Sequence, residues 1–196
     1  MTDFDFNKTY VLEDERVLLR PLAENDLVHL LPYSLHEPEL WKYSLVEVAG
    51  EANLEEYIRT ALLNKAAERE YPFIVYDKLT QQYAGSTRFY DINLPFQTLQ
   101  LGYTWYGKAF HGTGLNRHCK ALLLRFAFDT MGMVRVEFRA DLENKRSIAA
   151  MEKIGCVREG VLRQNTPKPD GSRRDSIVLS ILKTAWDDTI SKVLKP

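Results

Sequence analysis

Apolar residues in this chain alternate with polar ones, recur every three to four positions, or run together, and each pattern predicts an element. Near the start, "RVLLRPL" (Arg16 to Leu22) has the look of a strand ending at Pro21, and "AENDLVHLLPYS" follows with helical apolar spacing. Asn53 is placed to cap a helix over "LEEYIRTALLNKAAERE", with Leu54, Tyr57, Ile58, Ala61 and Leu62 on its apolar face. Tyr71 to Asp77 is β-prone throughout, and "LTQQ" turns the chain into a partner strand from Tyr83 to Ile92, broken by "NLPF". In "TLQLGYTWY", Leu99, Leu101, Tyr103 and Trp105 alternate with Gln100, Gly102 and Thr104. Leu115, Cys119, Leu122, Leu123 and Phe126 predict a helix with Asn116, Arg117 and Lys120 on its polar side, ending at Gly132. "VRVEFRA" alternates again through Val134, Val136, Phe138 and Ala140. Asn144 is a good N-cap for "KRSIAAMEKI", and Gly155 fits the position after that helix. "CVREGVL" and "DSIVLSIL" predict two strands joined by a polar loop containing "PKPDGSRR", and Thr184 caps a short final helix through Trp186.

The resulting order, β-α-α-β-β-β-α-β-α-β-β-α, is an α/β (α+β) arrangement with helices against one central sheet. At 196 residues a single domain over residues 1–196 is expected, with its core at about 14–188. A net charge of −1 gives no overall pull toward nucleic acid or an anionic membrane, so neither is expected as a partner. No uncharged apolar run approaches the ~20 residues of a membrane span. The acidic start "MTDFDFNKTY" lacks an apolar signal core, so a cytoplasmic protein is expected. Cys119 and Cys156 are far apart, form no CxxC and sit among apolar residues, which predicts buried free thiols. The histidines show no HExxH spacing, and no metal site is expected.

The regular stretch from Leu99 to Leu162 is where chemistry is expected. It contains "WYGKAFHGTGLNR", a glycine turn between a strand and a helix. Such a junction offers free backbone N–H groups and the positive end of a helix dipole, which suit a phosphate. A Walker A loop fails because Thr113 stands where lysine is needed, and a dinucleotide fingerprint fails because Arg117 replaces the third glycine. Kinase motifs are missing. On its own, the turn is better explained as a tight structural turn.

"HGTGLN" resembles the pyrophosphate loop Q/R-x-x-G-x-G/A of the GNAT acetyltransferases. Gly114 matches the central glycine, His111 takes the Gln/Arg position and Asn116 the Gly/Ala position. Downstream, "NKRSIAAMEKIGCVREG" resembles that family's second signature, with Asn144, Ser147 and Gly155 in register. "LRPLAENDL" and "PDGSRRDSIVLSILKTAW" resemble the opening and closing segments of the branch that acetylates ribosomal-protein N-termini (RimJ/RimL-like).

The resemblance implies a mostly antiparallel sheet of about seven strands whose fourth and fifth strands splay apart. It implies acetyl-CoA as co-substrate, no metal, a primary amine acceptor (a protein N-terminus or a small amine) and direct transfer in a ternary complex. The pyrophosphate would rest on the amides of His111, Gly112, Thr113, Gly114, Leu115 and Asn116, with Arg117 and Lys120 just beyond. The pantetheine arm would run beside Thr104, Trp105 and Tyr106 and meet Asn144 and Ser147. Backbone near Trp105 and Tyr106 would polarise the carbonyl. Ser147 is a candidate donor to sulfur, with Tyr103 and Tyr106 as rivals. The base stays open: Gln100 stands where relatives often have Glu, and Asp91, Glu137 and Glu159 remain. Trp41, Tyr43, Arg88, Tyr90 and Asp91 are candidates to line the acceptor site. A catalytically inactive acyl-CoA sensor or scaffold, and a homodimeric structural protein, are the alternatives.

Overall fold

The computed structural model describes residues 4–168 and 170–186. Eight strands form one sheet in the order β1-β2-β3-β4-β5-β6-β8-β7. The strands are β1 (Leu12–Glu13), β2 (Val17–Pro21), β3 (Tyr71–Asp77), β4 (Gln82–Asn93), β5 (Thr98–Tyr106), β6 (Arg135–Asp141), β7 (Val157–Pro167) and β8 (Arg173–Leu182). The α-helices are α1 (Leu27–His36), α2 (Glu51–Ala66), α3 (Leu115–Arg125) and α4 (Lys145–Lys153). One strand more than expected is present. β1 pairs Leu12 with Leu19 and Glu13 with Leu18, and two residues are too few to show alternation in a sequence.

Every neighbouring pair is antiparallel except β5 and β6. That parallel pair is short: Thr98, Leu99 and Gln100 meet Arg135, Val136 and Glu137, and beyond Gln100 no residue of β5 pairs with β6. The splay implied by the resemblance is therefore present, between the two strands that carry the regular stretch.

Helices cover both faces. Leu30 of α1 and Leu54, Ile58 and Ala61 of α2 pack with Ile74 and Trp105 on one side. On the other, Leu115 and Leu123 of α3 and Ile148 and Met151 of α4 pack with Phe73, Val75, Tyr106 and Phe138. The alternation of β3 explains both layers, since Phe73 and Val75 point one way and Ile74 the other.

Four local expectations change. α2 begins at Glu51 with Gly50 as N-cap, and Asn53 lies inside its first turn, where Nδ2 donates to the Ala49 carbonyl at 2.7 Å. Thr184 is not a cap but lies inside a 3-10 turn, Lys183–Ala185, and the residues after Trp186 lie outside the described ones. β7 runs on to Pro167 as an exposed strand held by β8 alone. Lys120 is buried, not on a polar face: α3 is covered on more than one side, with Leu115 and every residue from Cys119 to Leu124 inside. Asn144 does cap α4, its Oδ1 accepting from the Ser147 amide at 3.1 Å.

Candidate active site

The opening of the sheet starts from a bulge in β5. Arg88 faces Gly102 and Ser86 faces Trp105, so Tyr103 and Thr104 together stand opposite Thr87. Tyr103 has φ 49°, a left-handed conformation that a tyrosine adopts only at a cost of about 1 kcal/mol or more. Its surroundings hold it there. The Arg88 guanidinium lies 4.1 Å from its ring centroid, Tyr90 meets it edge-on at 5.1 Å, and the Tyr57 hydroxyl donates to its carbonyl at 3.4 Å. Thr104 bonds Thr87 hydroxyl to hydroxyl at 2.7 Å. β5 thus turns away from β6, which pairs with none of its residues from Leu101 to Tyr106.

The glycine loop continues from that edge. A 3-10 turn over Lys108–Phe110 takes the His111 amide, which donates to the Lys108 carbonyl at 3.0 Å. Gly112 and Gly114 then adopt φ 76° and 89°, a region that glycine enters without the Cβ penalty. Among the described residues, the amides of Gly112, Thr113, Gly114 and Asn116 donate to no protein acceptor, and Leu115 N–H reaches only the Thr113 hydroxyl at 3.4 Å. Space around both glycines is open, with nothing within 4 Å of a Cβ placed there. The free amides therefore begin at Gly112, one residue later than the loop the resemblance implies.

His111 has a different part. Its Nδ1 lies 3.0 Å from Arg146 Nη1 and its Nε2 lies 2.8 Å from the Tyr106 carbonyl. Arginine only donates, so Nδ1 accepts and the proton sits on Nε2, donating to Tyr106. The ring thereby ties the end of β5 to α4. Asn116 is tied down as well, its Oδ1 accepting from the buried Tyr106 hydroxyl at 3.2 Å. Arg117 is half-buried in the first turn of α3.

Asn144 and Ser147 stand at the start of α4, opposite this edge. Capping uses Oδ1 of Asn144, and among the described residues neither its Nδ2 nor the Ser147 hydroxyl has a hydrogen-bond partner. Lys120 projects from α3 toward the same gap. Its Nζ donates to Thr104 Oγ1 at 2.9 Å and lies 5.6 Å from the Phe138 ring on β6. Burial pushes this amine down to about 8. No periodicity in "CKALLLR" singled it out; the only sign was a lysine inside an otherwise apolar run.

On the α2 side, Arg88 is 2% exposed and bonds Glu70 at 2.6 Å, sandwiched between the rings of Tyr103 and Tyr57. Trp41 packs against Trp105 with centroids 5.2 Å apart, and the Tyr43 carbonyl accepts from Arg174 at 3.3 Å. Tyr90 is pushed well above the usual phenol range by burial and by Tyr103 beside it. The carboxylates are largely engaged. Glu137 accepts from Arg135 and Arg139 at 2.7 Å each. Arg135 and Ser180 hold Glu159 down to about 2, which makes it a poor base. Asp91 is exposed and accepts from Gln100 Nε2 at 2.8 Å. Both cysteines are free and buried, and burial pushes each thiol up to about 12.

The model of the acetyltransferase (GNAT) domain family matches residues 16–157. "Putative ribosomal N-acetyltransferase YdaF" of Bacillus subtilis (strain 168) is 32% identical over 88 residues, 45% of this chain and 47% of that protein, so the match spans about half its length. A solved "putative acetyltransferase" from T. thermophilus superposes with a TM-score of 0.86 at 31% identity, covering 98% of this chain and 97% of that one. Microcin C7 self immunity acetyltransferase MccE, solved with acetyl-CoA and AMP, shares the fold at a TM-score of 0.76 and 21% identity, over 86% and 93% of the two chains. A splayed parallel pair, a left-handed glycine loop heading α3 and a family match over most of the sequence converge, and the chain belongs to the GNAT acetyltransferase family.

Proposed function

We propose that this protein transfers the acetyl group of acetyl-CoA directly to the α-amine of a peptide or protein N-terminus. The observation that carries this is the pair of unmatched backbone stretches, the outer edge of β5 beyond Gln100 and the free amides of Gly112, Thr113, Gly114 and Asn116 at the head of α3. It offers an edge for an extended arm and a cradle for its pyrophosphate. Asn144 Nδ2 and the Ser147 hydroxyl are free to bond the arm and the sulfur from the facing helix. The Tyr106 N–H, on the outer edge after the bulge, polarises the thioester carbonyl.

Two features support direct transfer. Both thiols stay neutral near pH 7, and among the described residues the Ser147 hydroxyl bonds no base that would activate it for an acyl-enzyme. The engaged carboxylates favour an α-amine as acceptor. Such an amine titrates at about 7.7–8.0 and is partly neutral near pH 7, whereas a lysine side chain at about 10.4 needs a strong base.

Thermal unfolding with acetyl-CoA, CoA, ATP and NAD, each alone, tests the first half. A ligand at ~100 times its Kd adds about 2.7 kcal/mol, which at this size raises Tm by roughly 5–10 °C. The rise is expected with both CoA forms and not with ATP or NAD; no rise with either CoA form overturns the assignment. Initial rates with N-terminal peptides test the second half, and a ping-pong pattern would exclude direct transfer.

A further inference from the structure

Lys120 is a buried charge with too few partners. An ammonium has three N–H donors. Here one meets Thr104 Oγ1, a hydroxyl already shared with Thr87, and the Phe138 ring lies beyond at 5.6 Å. Among the described residues no carboxylate pairs with it. The titratable groups facing it are Cys119 on its own helix and Cys156 just before β7, both neutral thiols that supply no counter-charge. Burying an ammonium on such terms is costly unless something else completes its shell. The position says what that is. Thr104 belongs to the bulge where β5 leaves β6, and Phe138 belongs to β6, so the amine spans the foot of the gap between the opened strands.

We infer that Lys120 is the acid that protonates the sulfur of departing coenzyme A, a role that rests on the acetyl-CoA assignment above. As the acceptor nitrogen bonds to the carbonyl carbon, the C–S bond breaks and its electron pair goes to sulfur. A Lys120 N–H bond then breaks and sulfur leaves as the thiol. The acceptor nitrogen loses its own proton to water, and Lys120 regains one from water. Ser147 holds the sulfur by a hydrogen bond in this scheme, because an unassisted alcohol is too weak an acid to give up its proton. Burial supports the exchange: the amine is brought close to the ~8.5 of an ordinary thiol.

The test uses free CoA and needs no acceptor. The full chain is saturated with CoA and the thiolate absorbance of the bound thiol is followed against pH. The wild type is expected to lower the bound thiol's pKa by about one unit or more, as an adjacent ammonium does. Lys120→Met and Lys120→Gln are expected to abolish that shift, with folding and CoA binding confirmed by the thermal midpoint. An unshifted thiol in the wild type overturns the inference without recourse to any variant. A shift that survives in both variants overturns it too, while leaving the acetyl-CoA site standing. Failure of the wild type to bind either CoA form removes the assignment beneath it.

Discussion

Among the cations buried in the described residues, Arg88 and Lys120 differ in their surroundings. Arg88 has the Glu70 carboxylate at 2.6 Å and an aromatic ring on either side. Lys120 has a hydroxyl and one distant ring. The difference has a pH signature. Burial places the folded-state pKa of Lys120 at about 8, below the ~10.4 of an unfolded lysine. Below pH 8 both states hold the proton and the full penalty, on the order of 3 kcal/mol, is present. Between pH 8 and about 10 the unfolded chain holds more protons, so stability rises with pH. Urea unfolding of wild type and Lys120→Met across that window checks this. The variant is expected to be the more stable at pH 7, with the gap narrowing toward pH 10; a constant gap would mean that Lys120 does not titrate there. Buried tyrosines raised above their usual range act in both proteins and cancel in the difference.

At the scale of elements, α4 is capped by one side chain with two ends. Oδ1 of Asn144 caps the helix while Nδ2 stays available. Two substitutions separate these ends. Asn144→Ala removes both and should cost about 1 kcal/mol of stability along with acetyl-CoA affinity. Asn144→Asp keeps the capping oxygen and loses the donor, so stability should stay within a few tenths of a kcal/mol while affinity falls. Titration calorimetry beside urea unfolding measures both, and unchanged affinity in the aspartate variant would reduce Asn144 to a cap. This cap was legible in the sequence because a capping residue acts on its own next turn. β5 and β6 were legible for a similar reason, since their alternation is local, and β3 because its residues are β-prone throughout. The bulge at Tyr103 was not. Its left-handed backbone depends on Arg88, Tyr90 and Tyr57, contributed by β4 and α2, and nothing in "LGYTWY" announces it. The same holds for Lys120, whose burial is decided by Thr104 and Phe138 on two strands. His111 shows the limit from the other side: the resemblance puts its amide in the phosphate loop, but that amide is taken by Lys108, and contacts with Tyr106 and Arg146 give its ring a bracing part that a loop pattern cannot reveal.

Across the whole molecule, the sheet is continuous in order but not in bonding. β1 to β5 form one antiparallel run, β6 to β8 another, and three parallel pairs join them. The amides on the unmatched edge of β5 and in the loop from Gly112 to Asn116 therefore stand open to deuterium from the solvent. In D2O these amides should exchange quickly in the free protein, at rates set by chemistry more than by unfolding. A ligand laid along the edge would give them acceptors, and their exchange should slow together when acetyl-CoA is added, while the β7–β8 hairpin keeps its pace. Seen this way, the gap between β5 and β6 is a row of exchangeable hydrogens whose isotope clock reports, position by position, where the coenzyme lies.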